Sequence, residues 1–402
     1  MTSPDPRTLS IEHARPAAKL RLAQLDSLRG LAAVMVIVFH CRWNTPLRDL
    51  SFFDAGYLWV DFFFVLSGFI MFYNYPRLES LRDFRRFLVL RLFRIYPLHL
   101  GMLAVSLAHE TALHAVSGGG ERGRESVGTF LLNLALLNGV GIEAPSFNYV
   151  SWSISAEFWT YVVFGLFAWG WAKSSRGTIL AACGAVSVCA LAFLLTPALP
   201  NLNQVHLLAF PRCLFSFFLG AALCAALPAL RNRRDQGGTA ASALQVAVIA
   251  ACVALMTFMG RQPTAWELVM PVMFAAVIAA LAWWPASRVS TLAQSRPLLR
   301  LGDLSYSIYM IHMVVLTAML LALRIGLKAP MVDGRLQISG ILGTACLGAA
   351  LPIVLYISGL THRWIEEPGR QLGRTLADRL APRSATKPAE QVSQTIPNSR
   401  AA

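Results

Sequence analysis

Arg29 and His40 lie eleven residues apart in the run LDSLRGLAAVMVIVFHCRW. On a helix that is about three turns, so the two share a face about 16 Å apart along the axis. A neutral imidazole titrates near neutrality and accepts a proton from a hydroxyl, which makes His40 a candidate general base. Asp61, in GYLWVDFFFVLSGFIMFY, is a carboxylate in an apolar run. It either pairs with a cation, orients His40, or is a charge at a helix end. Ser153 and Glu157, in SWSISAEFWTYVVFG, are i and i+4 and share a face. Ser151 or Ser153 also suits a helix cap. Trp152, Trp159 and Tyr161 read as an interfacial aromatic belt or as sugar-stacking surfaces, and the belt is the simpler reading. Arg212, in HLLAFPRCLFSFFLG, lies about 10 Å inside an apolar run and needs an acidic partner. Asp61 and Glu157 lie at a similar depth. Tyr306, Tyr309 and His312, in GDLSYSIYMIHMVV, follow one another by a helical turn. They are packing residues with satisfied polar tips, or they take part in the chemistry. Finally, Arg77, Arg82, Arg85, Arg86, Arg91 and Arg94 form a basic cluster. It suits anionic lipid head groups or a polyanionic ligand such as a nucleotide.

The elements that carry these residues follow from composition. The chain has 402 residues, 56% of them hydrophobic and 14% charged, with a mean hydropathy of +0.54. Ordinary globular domains carry roughly 25% charged residues. So few charges do not cover a soluble surface of this size, and they exclude a disordered chain and a disulfide-rich secreted module. The expected fold is all-α: a polytopic integral membrane protein with about ten transmembrane helices and both termini cytoplasmic. Ten segments are long and apolar enough to span: 26–43, 57–74, 95–113, 152–172, 178–197, 205–228, 241–259, 266–284, 303–324 and 338–360. An eleventh, Thr129 to Leu137, is too short and reads as re-entrant or interfacial. His99, His109, Glu110, His206 and Glu267 fall close enough to span ends to be interfacial. There is no internal repeat. Residues 1–24 form a polar cytoplasmic segment with no expected signal cleavage. Residues 25–368 form the membrane domain, and 369–402 form a cytoplasmic tail rich in Pro, Ser, Thr and Gln and expected to be disordered. The seven Cys show no C-x-x-C spacing, so neither a metal site nor a disulfide framework is expected.

The net charge of +14 has two readings, nucleic-acid binding or cytoplasmic loops rich in Lys and Arg. Position decides between them. With both termini inside, only Arg42, Arg48, Arg122, Arg124, Arg261, Arg324, Lys328 and Arg335 of the 35 Lys and Arg fall in the outer loops. That is the positive-inside pattern, and nucleic acid is excluded as a partner. Counting 129–137 as a span reverses every later loop and removes the asymmetry. His40, Asp61, Glu157 and Arg212 then fall in the outer half of the membrane, His312 near mid-depth and the Arg77–Arg94 cluster inside. Such a distribution suggests a reaction carried out across the membrane.

At these residues the chain resembles the membrane acyltransferase family 3, the O-acyltransferases of surface polysaccharides and related acceptors. The resemblance runs from about Leu25 to Pro368. It rests on Arg29-x10-His40, the aromatic-rich VDFFFVLSGFI, Arg91-Leu-Phe-Arg94, Ser153-x3-Glu157, Ser305-Tyr306-x2-Tyr309-x2-His312 and the closing HRWIEEPGR. Each motif alone is weak, but their order along the chain is specific. The resemblance implies transfer of an acyl group, acetyl by default, from cytosolic acyl-CoA to an acceptor hydroxyl beyond the membrane. The acceptor is an extracytoplasmic or lipid-linked glycan, such as an exopolysaccharide or lipopolysaccharide, and the compartment is the bacterial inner membrane. Combined with the depths above, it implies His40 as the base, Arg29 positioning the donor, and Glu157 with Ser153 orienting His40 or binding the acceptor. Arg86, Arg91 and Arg94 hold the CoA phosphates. Asp61, Arg212, Tyr309, His312 and Trp152 contact substrate. It implies no metal and no tightly bound cofactor; acyl-CoA is a donor substrate, and membrane lipids surround the chain. Two alternatives remain at this point: a glycan or small-molecule transporter or flippase without acyl chemistry, and a membrane sensor or scaffold.

Overall fold

The computed structural model describes residues 22–117, 126–142, 145–196, 208–227, 237–261 and 265–380. Nearly all of the N-terminal segment and the end of the tail, residues 1–21 and 381–402, lie outside the described residues. In chain order the helices are α1 Ala23–Phe39, α2 Ser51–Asp54, α3 Trp59–Asn74, α4 Leu81–Ser117, α5 Val127–Leu134, α6 Ser151–Gly170 and α7 Arg176–Leu194. There follow α8 Ala209–Ala226, α9 Thr239–Arg261, α10 Met270–Trp283, α11 Arg288–Ala293, α12 Arg296–Leu327, α13 Gly340–Thr361 and α14 Glu367–Leu380. Among the described residues, strand is confined to one antiparallel hairpin, β1 Met331–Val332 with β2 Arg335–Leu336, in register Met331 to Leu336. Trp43 bridges onto Leu336. The fold is therefore an all-α membrane bundle.

Every one of the ten apolar segments has a helix. Among the described residues, eight helical stretches are long and apolar enough to cross a bilayer. The other two segments are α1, with 17 residues, and α6, whose first turns carry Ser151, Ser153, Ser155 and Glu157. Helix α1 falls short in length, and the polar first turns of α6 lower its apolarity. Burial sorts centre from rim. The span containing α3 is 72% buried, whereas that of α9 is 22% buried and turns most of its surface to lipid.

Two close approaches set the helix register. Helix α1 packs on α12 at Gly30 and Gly302, where a Cβ on Gly30 falls 2.5 Å from the Gly302 nitrogen. Helix α3 packs on α8 at Gly68 and Gly220, where a Cβ on Gly68 falls 1.8 Å from the Phe217 carbonyl oxygen. Only a side chain of hydrogen fits either crossing.

Three elements differ from expectation. Helix α4 begins at Leu81 rather than near 95, so Arg82 to Arg94 are helical and not in a loop. The Ser80 hydroxyl caps its start by accepting from the Asp83 N–H at 3.1 Å. At 37 residues the helix runs about 56 Å, well beyond a ~30 Å hydrocarbon core. The tail, expected to be disordered from 369, is helical through Leu380. Its buried Gly369, Gly373 and Ala377 recur every four residues and let α14 lie flat on α4. Composition does not display that stripe. Segment 129–137 holds α5, about 12 Å long, and then turns back at Leu136, which has φ 55°. The Leu136 carbonyl accepts from the Ser155 hydroxyl at 2.5 Å and the Trp159 indole N–H at 2.8 Å. The segment is tied to α6 and does not span.

Candidate active site

Helices α1, α3, α4, α6, α12 and α14 enclose a cavity of about 510 Å³. One end is basic. Arg29 projects from the first turns of α1, with Nε donating to the Ser305 hydroxyl at 2.7 Å and Nη2 to the Gly302 carbonyl at 2.9 Å. Arg91, whose guanidinium lies 5.6 Å from the Tyr75 ring centroid, and Arg94 line the same wall. Arg370 and Arg374 reach in from α14. Asp26, 3.6 Å from Arg29, and Asp303 also line the cavity, so five Arg stand there with these two Asp, and further acids stand behind the lining. Buried Glu366 takes Arg94 at 2.7 Å, the Ser307 hydroxyl at 3.0 Å and His362 Nδ1 at 3.1 Å. Glu367 pairs with Arg370 at 3.4 Å and Arg374 at 3.7 Å. Guanidinium groups fixed in this way suit phosphate oxygens.

The cavity wall opposite α12 is hydroxyl and carboxylate. Glu157 accepts from the Tyr161 hydroxyl at 2.5 Å and from the Ser67 hydroxyl. Ser153 lies one turn earlier on the same face, as the spacing required, and its hydroxyl meets Tyr309 Oη at 2.7 Å. Ser153 also donates to the Val150 carbonyl. The first residue of α6 is Ser151, and Val150 stands in the cap position with no side-chain bond. Glu157 is held by Ser67 and Tyr161, not by His40. Tyr306, one turn before Tyr309, donates to the Ile95 carbonyl at 2.6 Å.

One turn beyond Tyr309 the two imidazoles meet. The Tyr309 and His312 rings are 5.8 Å apart, and those of His312 and His40 are 5.0 Å apart. His312 Nε2 lies 3.1 Å from His40 Nδ1. The parallel course of α1 and α12 produces this: Arg29 meets Ser305 at one level and His40 meets His312 at the next. His312 is fully buried and His40 half-buried, and neither lines the cavity. Tyr149 stands edge-on to His40 at 5.8 Å.

Other sequence-selected residues fall elsewhere. Asp61 and Arg212 form a buried pair, Nε to Oδ1 at 2.9 Å and Nη2 to Oδ2 at 2.6 Å. Ser216 and the Tyr57 carbonyl complete the pair, and the Trp152 ring lies 5.6 Å from the Arg212 guanidinium. Asp61, Arg212 and Trp152 do not line the cavity; the pair joins α3 to α8. Of the two partners open to Arg212, the chain uses Asp61. Arg86 pairs with Asp378 at 2.6 Å and ties α4 to α14, outside the cavity. Glu267 and His99, near span ends by sequence, are buried. The polar lining residues missed by sequence reading include Asp26, Ser67, Asp303, Arg370 and Arg374, and Glu366 stands just behind them. Glu366, Arg370 and Arg374 repeat at i+4 from HRWIEEPGR onwards, the signal by which they are found. Among the described residues no group of three or more His, Cys, Asp and Glu is arranged to hold a metal.

A polytopic helical protein with a cationic internal cavity leading towards a histidine pair defines a membrane protein with a site for an anionic ligand. The family is then given by comparison. Residues 22–359 match the acyltransferase domain model of acyltransferase family 3, so the chain belongs to that family and is an acyltransferase enzyme, not the transporter or scaffold that the sequence left open. It is 28% identical to acyltransferase MdmB of Streptomyces mycarofaciens, over 94% of this chain and 100% of that protein. It is 25% identical to peptidoglycan O-acetyltransferase OatA of Listeria monocytogenes, over 73% of this chain and 49% of that one. The putative peptidoglycan O-acetyltransferase YrhL of Bacillus subtilis is likewise 25% identical, over 73% and 48%. The chain thus spans the whole of the Streptomyces relative and about half of each peptidoglycan relative. No solved structure matches.

Proposed function

We propose that the enzyme moves an acyl group, acetyl in the simplest case, from cytosolic acyl-CoA to a hydroxyl of an extracytoplasmic or lipid-linked glycan in the bacterial inner membrane. The observation that carries this is the polarity of the cavity. Its basic end is built from Arg29, Arg91, Arg94, Arg370 and Arg374, and the other end stops at Ser153 and Tyr309, one turn from His312 and His40. The phosphates of CoA suit the first end. The pantetheine arm then runs past Ser67, Glu157 and Tyr161, and the thioester reaches towards the histidines. Two relatives named as peptidoglycan O-acetyltransferases support a glycan acceptor.

The chemistry assigned to this arrangement balances without a metal or a bound cofactor. His40 takes the proton of the acceptor hydroxyl while its oxygen attacks the thioester carbonyl. The C–S bond breaks, and the departing CoA thiolate takes that proton back from the imidazolium. A positioned base of this kind contributes roughly 10²–10⁴-fold. The direct test is mass spectrometry of cell-envelope glycans with and without the gene. A mass difference of one acyl group is expected and identifies both donor group and acceptor. Identical glycan masses in the two strains contradict a glycan acceptor.

A further inference from the structure

The neighbours of the two buried imidazoles decide which of their nitrogens carry hydrogen. His312 Nδ1 lies 3.2 Å from the Ile308 carbonyl oxygen, an atom that only accepts. In the neutral ring that nitrogen is therefore the protonated one, and Nε2 presents a lone pair. Nε2 in turn faces His40 Nδ1 at 3.1 Å. Two lone pairs at that distance repel, so His40 Nδ1 bears hydrogen. The Val36 carbonyl, 3.1 Å from the same atom, imposes the same choice. Only His40 Nε2 is left free to accept a proton. His312 has 0% of its surface exposed, whereas His40 is half-buried, so of the two rings His312 is the one that does not touch substrate.

We infer that His312 is a positioning residue: together with the Val36 carbonyl it holds His40 as the Nδ1–H tautomer, so that Nε2 is the nitrogen that takes the acceptor proton. It then accepts from Nδ1–H of the imidazolium while that charge exists, and itself neither gains nor loses a proton. A partner on the far nitrogen commonly sets tautomer and ring orientation in this way. The inference rests on His40 being the base, but the tautomer is a property of the resting protein and is measured without substrate.

The experiment uses the full chain in lipid nanodiscs with ¹⁵N-labelled histidine, the His40 signals being assigned by their loss in His40→Gln. The expected spectrum of the wild type has His40 protonated at Nδ1 and bare at Nε2. In His312→Phe, which keeps bulk but removes one of the two acceptors, the His40 Nδ1 hydrogen keeps only the Val36 carbonyl, and the share of the Nε2–H tautomer rises above that of the wild type. With acetyl-CoA as donor and native envelope glycan as acceptor, kcat falls roughly 10- to 100-fold and KM for acetyl-CoA stays within about twofold. His312→Gln places an amide oxygen near the lost Nε2 and retains kcat within a few-fold. The proposal is overturned if wild-type His40 carries its proton on Nε2, or if folded His312→Phe keeps its kcat. It is equally overturned if His312→Gln is folded yet as slow as His312→Phe. Full activity in His40→Gln together with the expected tautomer contradicts the role of His40 and leaves the tautomer assignment standing.

Discussion

At the scale of single residues the chain separates groups that hold the fold from groups that face the cavity. Asp61 and Arg212 look alike in sequence to Glu157, each being a charge stranded in an apolar run. In three dimensions the first two neutralise each other behind Trp152, and Glu157 lines the cavity. Sequence supplied the candidates but not the pairing, because pairing depends on which helices meet. Arg212→Ala leaves Asp61 buried without its cation, and such a break typically costs about 3–5 kcal/mol. Thermal unfolding in detergent is expected to show that loss, with partial recovery in the apolar double variant Asp61→Leu/Arg212→Leu. Arg91→Ala is expected to act differently. Its fold is retained, KM for acyl-CoA rises about tenfold and kcat changes little, the pattern of lost uniform binding. A large fall in kcat at unchanged KM argues against a donor-phosphate role for Arg91.

Elements were more legible than contacts. Apolar length located a helix at every expected span, because the bilayer fixes how many apolar residues a crossing needs. What hid was carried by small residues or by amphipathic turns. The Gly369, Gly373 and Ala377 stripe made α14 look like tail, and the Arg-rich first turns of α4 looked like loop. Helix direction now supplies a check on topology. Arg29 meets Ser305 and His40 meets His312, so α1 and α12 run parallel. Parallel α1 and α12 agree with seven crossings between them, namely α3, α4, α6, α7, α8, α9 and α10, and with α5 as a non-spanning turn-back. The α3–α8 contact is the most sensitive crossing. Gly68→Ala drives a methyl into the Phe217 carbonyl and is expected to lower the detergent melting temperature by several degrees, whereas Gly184→Ala on α7, which meets nothing within 4 Å, leaves it unchanged. Equal melting temperatures for the two variants contradict the helix register.

For the whole molecule, the +14 charge resolves into a membrane orientation and a cavity. The proposed orientation puts the start of α4 in the cytoplasm and the β1–β2 hairpin outside. In a cysteine-free background, a cysteine at Asp333 is expected to react with a membrane-impermeant maleimide in intact cells, and one at Arg82 only after lysis. The reverse pattern contradicts the positive-inside assignment. Acyl transfer across the bilayer is then measurable in one step. Isotope-labelled acetyl-CoA is supplied to sealed membrane vesicles of either orientation, made with wild-type enzyme or with His40→Ala inserted at the same level. Label is expected in the glycan fraction of wild-type vesicles that present the Arg-rich face to the donor, and to fall roughly 10²–10⁴-fold in His40→Ala. Undiminished labelling in His40→Ala, or labelling only when the opposite face meets the donor, contradicts transfer by this site.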